Sequence, residues 1–214
     1  MSSDARSSGS RRADLLRASP RMFESDLLDR LSRVHPAVPV VIFAPAIAVM
    51  TWVGIERNGV LAALAWIVGG YVVWTLTEYW LHRLVFHFEP DAPVGRRMHW
   101  IIHGVHHDHP NDPMRLVMPP SVSVPLGLLF YAAFVLVVGA DAAPALAAGF
   151  FAGYLAYDMT HYHVHHHKPK TRVGRKLREQ HMRHHFQDST RGYGVSAPWW
   201  DLVFGTAPRR RARS

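Results

Sequence analysis

Cysteine is absent from this 214-residue sequence, which excludes a disulfide framework, a thiolate zinc site, an iron–sulfur cluster and a cysteine nucleophile. Charged residues are missing from several long stretches, although the chain has a formal net charge of +8. The length is typical of a single domain. Histidine, by contrast, is abundant, with 16 residues in the chain. A functional interpretation therefore has to account for the histidines.

Four uncharged stretches predict an all-α integral membrane protein. They cover residues 37–55, 58–77, 116–140 and 142–157. A helix of about 20 apolar residues crosses a hydrocarbon core of about 30 Å, and the last stretch reaches this length only if the helix continues to residues 158–162. None of the stretches has the charged stripe of a soluble amphipathic helix. Short connections at Glu56–Arg57 and at Asp141 would join the four transmembrane helices into two hairpins.

The distribution of basic residues predicts the orientation in the membrane. With the N-terminus in the cytoplasm, Arg57 alone of the 24 lysines and arginines faces outward. We expect a basic, largely disordered N-terminus at residues 1–33 with room for an interfacial helix, a membrane domain at 34–205, and a basic tail at 206–214. The arginines of both ends would contact anionic lipid headgroups, and no nucleic-acid partner is expected.

Ten histidines occur in four groups that all fall on the predicted cytoplasmic side, where they would form a His-rich helical cap. Separations of three to five residues place imidazoles on one face or at one end of a helix. Ten ligands exceed the coordination of one first-row ion, so the spacing predicts two metal ions with about five histidines each. The predicted ligands are His82, His87, His103, His106, His107, His161, His165, His181, His184 and His185.

The predicted metal is iron. Neutral imidazole binds zinc, iron, copper and nickel, but ten ligands exceed what a closed structural zinc site needs. Two redox-active ions close together could activate dioxygen. Zinc in an isolated preparation would be compatible with iron in the cell, because such ligands bind zinc more tightly than Fe(II).

Several motifs resemble the fatty acid 2-hydroxylase branch of the fatty acid hydroxylase and sterol desaturase superfamily. They are EYWLHR at 78–83, HGVHH at 103–107 with RLV at 115–117, YDMTHY at 157–162, HMRHHF at 181–186 and GYGVS at 192–196. The similarity extends over residues 72–205. The resemblance implies a membrane enzyme with a dimetal centre that hydroxylates C2 of a fatty acyl chain with dioxygen. It also implies the same ten histidine ligands that the spacing selects.

The resemblance also concerns the partners. Many eukaryotic members carry a fused cytochrome b5 domain, and the segment before the first apolar stretch is too short for one. We therefore expect a separate electron donor, of cytochrome b5 or ferredoxin type, and a membrane lipid or fatty acyl substrate. A sterol or carotenoid hydroxylase or desaturase of the same superfamily is the main alternative. A membrane metal transporter or metal-binding protein is a second one, although the apolar stretches contain no polar ligands that would form a path.

Five further residues are candidates for supporting roles. Asp112, Asp158 and Asp201 would either accept the free N–H of a liganded imidazole or form ordinary caps and salt bridges. Arg115 and Tyr193 are candidates for contact with the lipid head. The stretch from 161 to 167 has more histidines than the motif requires, so the choice between His165 and its neighbours stays open.

Overall fold

The computed structural model describes residues 11–209, and this part of the chain is helical without any β-strand. The predicted all-α class is therefore confirmed for the described residues. Residues 11–17 are helical. The elements that follow are α1 (Asp26–Leu31), α2 (Ala37–Asn58), α3 (Val60–Leu81), a first π-helix (His82–Phe86), α4 (Pro93–His99), a second π-helix (Trp100–Gly104), α5 (Val105–Asp108), α6 (Pro120–His166), α7 (Arg172–Phe186) and α8 (Trp199–Val203).

Within residues 11–209, three helical stretches are long and apolar enough to cross a membrane. They are Ala37–Asn58, Val60–Phe86 and Pro120–His166. The first two correspond to the first two predicted stretches. The third and fourth predicted stretches both lie in α6. This helix begins at Pro120 rather than at residue 116, because Pro119 has extended backbone and Pro120 occupies the first helical turn.

The 47-residue helix α6 folds back on itself at Gly139. Gly139 has φ 84° and ψ 164°, which is non-helical backbone. The rings of Phe130 and Phe150 lie 4.6 Å apart, centroid to centroid. In a straight helix twenty residues would separate them by about 30 Å. Residues 120–138 and 140–166 therefore form two arms that pack against each other.

Both reversals of the chain occur at glycine, close to the predicted connections but not at them. Gly59 joins α2 to α3 with φ 75° and ψ 162°, nearly the backbone of Gly139. The predicted connections at Glu56–Arg57 and Asp141 were wrong in detail, because these residues are helical and only glycine adopts a positive φ without strain. Arg57 Nη1 donates to the Ala140 carbonyl at 2.8 Å, so the two reversals lie at the same end of the molecule.

Small residues bring α3 and the second arm of α6 into backbone contact. A Cβ on Gly149 would lie 1.8 Å from the carbonyl oxygen of Ile67, and a Cβ on Gly70 would lie 1.9 Å from that of Leu146. This close approach is typical of helices that pack within a membrane. Toward the histidine-bearing end the contact widens into an aromatic cluster, where Trp74 packs on Phe150 at 5.1 Å. The packing fixes the ends of both helices relative to each other.

The segment before α2 packs on the chain that precedes α6. The Val34 N–H donates to the Met114 carbonyl at 2.6 Å, and Val34 is buried. Helix α1 begins at Ser25, whose hydroxyl accepts from the Leu28 N–H. The first ten residues of segment 1–33, which was predicted to be basic and largely disordered, lie outside the described residues, as does most of the predicted basic tail, residues 210–214. Residues 11–33 of that segment are described and include the helix at 11–17 and α1. The predicted domain limits stay predictions.

Candidate metal centre

The ten predicted histidines come together in two groups of five. In each group one ring nitrogen per residue lies within 4.8 Å of all the others. The first group is His82, His87, His103, His107 and His184. The second group is His106, His161, His165, His181 and His185. The two groups are neighbours, because the rings of His107 and His185 stack with centroids 4.2 Å apart.

Two π-helical turns shape the first group. The first π-helix follows α3 directly, and the His87 N–H donates to the His82 carbonyl at 3.2 Å. This wider turn brings two imidazoles five residues apart to one side, with their Nε2 atoms 3.2 Å apart. The second π-helix contains His103 and leads into α5. Single π-turns of this kind are frequent at functional sites.

Regular helical spacing supplies the remaining ligands. His161 and His165 lie one turn apart near the end of α6, and His181 and His185 lie one turn apart in α7. Both pairs belong to the second group, whereas His184 lies on the neighbouring face of α7 and joins the first. Helix α7 begins at Thr171, whose hydroxyl accepts from the Gly174 N–H at 3.0 Å. One short amphipathic helix therefore supplies both groups.

The distances between ligand atoms fit the coordination of a metal ion. In the first group the Nε2 atoms of His87 and His184 are 3.0 Å apart. In the second, those of His161 and His106 are 3.0 Å apart and those of His165 and His181 are 2.8 Å apart. Two nitrogens bound at about 2.1 Å and at right angles are about 3.0 Å apart. Imidazoles at these distances could hold one first-row ion in each group.

Backbone carbonyls orient two imidazoles of the first group. The Nδ1 atoms of His82 and His184 lie 2.7 Å from the carbonyl oxygens of Tyr193 and Arg191, respectively. A carbonyl accepts only, so each Nδ1 carries the proton and each Nε2 presents its lone pair to the group. In the second group, Nδ1 of His165, His181 and His185 has no protein partner. The orientation there comes from helix packing.

Burial keeps the imidazoles outside the membrane helices neutral. It lowers the pKa of His184 to about 4, although the hydrogen bond that Nδ1–H donates to the Arg191 carbonyl favours the protonated form. Burial also lowers the pKa of His106 to about 3 and that of His107 to about 2, with smaller contributions from neighbouring histidines. Neutral imidazole is the form that binds metal. The site is therefore ready to accept cations at neutral pH.

A buried network behind the first group includes two of the predicted supporting residues. Asp201 accepts from the backbone N–H groups of Tyr193 and Gly194, each at 2.9 Å, and from the Thr206 hydroxyl at 2.7 Å. One interpretation of the sequence had Asp201 accept a hydrogen bond from an imidazole. The structure does not have this contact. Asp201 holds the loop whose carbonyl at Tyr193 orients His82. The Tyr79 hydroxyl extends the network to Thr206 at 2.9 Å.

Two contributors to this network were missed from the sequence. Glu78 is buried and accepts from the Ser196 N–H at 2.8 Å and from the Ser196 hydroxyl. Thr206 falls in the predicted tail, yet it is buried next to Asp201. Glu78 stands four residues before His82, and this helical spacing of a carboxylate and a proposed ligand is the signal that could have indicated a supporting role.

The other three predicted supporting residues lie near the groups without contacting an imidazole by hydrogen bond. Asp158 accepts from the Tyr154 hydroxyl at 3.0 Å. Asp112 accepts from the Met114 N–H at 2.9 Å, and this is a local cap. Arg115 pairs with Asp29 at 2.8 Å. The cap at Asp112 is the ordinary contact that the sequence left open as an alternative. The hydrogen bond of Asp158 to a tyrosine hydroxyl and the ion pair of Arg115 with Asp29 were not predicted.

The remaining histidines of the described chain lie outside both groups. In the stretch from 161 to 167, His161 and His165 belong to the second group, whereas His163 and His167 are exposed. His109 Nδ1 lies 2.6 Å from the Leu15 carbonyl, and His35 Nδ1 accepts from the Ala37 N–H at 3.2 Å. The contact of His35 is local, whereas that of His109 joins it to a segment 94 residues earlier in the chain.

A cavity of about 290 Å³ reaches both histidine groups. Its wall includes His103 of the first group and His106 and His161 of the second. Most of the other wall residues are apolar, from the segment before α2, the second π-helix and the start of α6. Such a cavity suits a hydrocarbon chain whose end or head lies beside the metal ligands.

Comparisons with known proteins assign the family. Residues 67–206 match the family described as fatty acid hydroxylase. The chain is 37% identical over 195 residues to the dihydroceramide fatty acyl 2-hydroxylase FAH2 of Arabidopsis thaliana, an alignment that covers 90% of this chain and 82% of the relative. The chain belongs to the fatty acid hydroxylase family. The resemblance stated from the histidine motifs is thereby confirmed.

Other members of the fatty acid hydroxylase family agree in sequence and fold. The chain is 33% identical over 210 residues to the human fatty acid 2-hydroxylase, covering 87% of this chain and 56% of that protein. A solved structure described as full-length scs7p, with only the hydroxylase domain visible, superposes with a TM-score of 0.82 at 35% identity. That comparison covers 87% of this chain and 72% of the other. The predicted assignment to a family of oxidoreductases is confirmed.

Proposed function

We propose that this protein is a membrane-bound dimetal oxygenase that hydroxylates an acyl chain of a lipid at C2. The observation that carries the proposal is that one apolar cavity meets both histidine groups. Curated relatives named as dihydroceramide fatty acyl 2-hydroxylase and as fatty acid 2-hydroxylase support the position of the reaction. A sterol or carotenoid substrate has no comparable support.

Two iron ions are the proposed metals, one held by each group of five histidines. Ligand chemistry supports an ion of the late first row, since all ten donors are imidazole nitrogens. When bound, iron supplies the dioxygen chemistry: with two electrons and two protons, one oxygen atom enters the C–H bond and the other leaves as water. Zinc in an isolated preparation would reflect exchange at the same ligands.

The chain's own contribution is to bind and position the substrate. The apolar wall excludes bulk water and holds the acyl chain, while the histidines at the wall fix the distance from the reacting carbon to the metals. Leu116 and Val117 are buried residues of this wall, in the segment just before α6. The carbon next to the head of the lipid would then lie nearest the metals.

Four transmembrane passes are proposed, with the histidine groups at the cytoplasmic face. At 1.5 Å per residue, a straight helix with the 47 residues of α6 would be about 70 Å long, more than twice the thickness of a hydrocarbon core. The break at Gly139 supports one pass for each arm. Arg57 lies at the end opposite the histidines and the other basic residues lie outside the apolar stretches, as the positive-inside rule expects. Electrons would then come from a separate cytoplasmic donor of cytochrome b5 or ferredoxin type.

Expression in a host with analysis of its lipids tests the proposal. The wild-type protein should add one oxygen to the acyl chain, and fragmentation in the mass spectrometer should place it on C2. His106→Ala and His184→Ala, which remove one donor from each group, should abolish the product. His163→Ala is the matched control, because His163 is exposed and lies outside both groups. Full activity of both ligand variants would contradict the proposal.

A further inference from the structure

The segment before α2 forms part of the wall of the cavity of about 290 Å³ that is proposed to hold the acyl chain. Met22, Phe23, Leu28 and Leu31 all line it, opposite residues of the second π-helix and of the start of α6. The segment is attached by polar contacts, since Arg97 and Arg115 donate to the carbonyls of Met22 and Pro20, respectively. The cavity is therefore closed on this side by a segment that lies outside the long helices.

Among the described residues that line this cavity, Arg115 is the only lysine or arginine. Its side chain is 2% exposed, so its charge is almost fully withdrawn from solvent. A buried guanidinium requires a partner, and Arg115 Nη2 donates to Asp29 Oδ1 at 2.8 Å. The cation that could have bound a substrate carboxylate is thus already paired.

Asp29 is held in place by more than Arg115. The same oxygen accepts from the Met22 N–H at 2.7 Å, while Oδ2 accepts from the Arg33 guanidinium at 3.2 Å. These contacts lower the pKa of Asp29, chiefly the hydrogen bond from Met22 and then the charges of Arg33 and Arg115. Asp29 is therefore ionised at neutral pH. Together with Asp112, whose charge also acts on Arg115, it offsets the two guanidiniums of Arg33 and Arg115.

Binding of a substrate carboxylate beside the Asp29–Arg115 pair would be unfavourable. The charge of the carboxylate would leave water for an apolar wall where Asp29 and Asp112 already offset the charges of Arg115 and Arg33. The acidic wall residue Asp158 adds no positive charge either. An amide or ester head carries no net charge and needs only hydrogen-bond partners. The electrostatics of the wall thus distinguish acyl chains by the charge at their head.

We infer that Asp29 is a specificity-determining residue: by neutralising Arg115, it makes the cavity favour acyl chains on an uncharged amide or ester over free fatty acids. The inference rests on the proposed function, because it names the class of acyl substrate within it. Asp29 lies in α1, outside the histidine motifs, and acts through Arg115 rather than on the reacting carbon.

Equilibrium binding to the purified full-length protein in neutral micelles tests the inference without turnover. The two probes are radiolabelled hexadecanoate, above its carboxyl pKa, and N-methylhexadecanamide. The wild type should prefer the amide. Asp29→Asn should raise the affinity for hexadecanoate relative to the amide by roughly 10-fold, because it frees the charge of Arg115. Asp29→Asn combined with Arg115→Met should return the preference to the amide.

A neighbouring acid and an apolar pair provide the controls. Asp26→Asn makes the same change in the same helix, at a side chain that is 86% exposed and pairs with Arg21, so the preference should stay that of the wild type. If Asp29→Asn does not fold, Asp29→Leu with Arg115→Met replaces the ion pair by apolar residues and should keep the preference for the amide.

The outcomes separate this inference from the proposed function. Equal weakening of both probes in Asp29→Asn, or an unchanged ratio, would show that the pair is structural only and overturn the inference while leaving an acyl substrate in place. A preference for hexadecanoate in the apolar pair variant would overturn it in the same way. Binding of neither probe to the wild type would overturn the acyl substrate, and the inference with it.

Discussion

At the scale of single residues, the site depends on which nitrogen of each histidine carries a proton. His82 and His184 owe their orientation to the carbonyls of Tyr193 and Arg191. The Tyr193 loop in turn depends on Asp201, which accepts two backbone N–H groups and one hydroxyl. A side chain that touches no imidazole therefore controls a proposed ligand through the backbone.

Replacing Asp201 by Asn should weaken the metal affinity of the first group. The amide NH₂ would face N–H donors, so the loop would shift and His82 would lose its acceptor. We expect a loss of roughly 10-fold in the affinity of one of the two ions, the lower end of what changes behind a metal ligand cause. Titration of the metal-free protein with Zn²⁺ measures both affinities. Asp91→Asn, at an exposed loop residue, is the control; equal affinities in the two variants would argue against a role for Asp201.

The low histidine pKa values also predict how stability depends on pH. The pKa of His106 is about 3 and that of His184 about 4, both lowered chiefly by burial from an ordinary value of 6.5. Between these values and 6.5 the unfolded chain binds more protons than the folded one, so the free energy of unfolding rises with pH. The stability from neutral imidazoles is complete above about pH 6.5 and declines as the pH falls.

Thermal unfolding of the metal-free protein checks this dependence. The midpoint Tm should be constant above about pH 6.5 and fall steadily below it. His106→Phe should give a shallower decline, because it removes one of the groups that take up protons on unfolding. A Tm that does not change between about pH 7 and about pH 5 would be inconsistent with neutral buried imidazoles.

At the scale of elements, the sequence predicted the helices better than their ends. The length of the uncharged stretches was enough to locate α2, α3 and both arms of α6, because a hydrocarbon environment leaves a strong compositional signal. The π-turns at His82–Phe86 and Trp100–Gly104 have no such compositional signal. The reversal at Gly139 depends on the backbone conformation of one residue. The prediction placed it at the charged residue Asp141, two residues too late in the chain.

Arg178 joins two elements that supply the second group. Its guanidinium donates to the Val164 carbonyl and, at 3.2 Å, to the His167 carbonyl, so it caps the end of α6 from α7. Arg178→Gln should loosen this end and lower the metal affinity of the second group by roughly 10-fold, with less effect on the first. Arg175→Gln is the matched control, because Arg175 is exposed and donates only within its own segment, to Lys170. The two Zn²⁺ affinities of each variant provide the measurement, and a uniform loss at both sites would count against this role.

At the scale of the whole molecule, histidine spacing carried most of the functional prediction. All ten residues selected from the sequence lie in the two groups, because separations of three to five residues place them on common helix faces. The division was not predictable residue by residue: His106 and His107 are adjacent in sequence but belong to different groups. Nor could the sequence indicate that Asp29 would cross to Arg115, since that contact joins segments 86 residues apart.

The central claim is that two groups of five histidines each hold one metal ion, and the iron content of anaerobically loaded protein tests it most directly. The wild type should bind two Fe(II) per chain. His184→Ala and His165→Ala, one in each group, should each retain a single ion, and the double variant should retain none. Binding of one ion or fewer by the wild type, or two ions by the double variant, would contradict the claim.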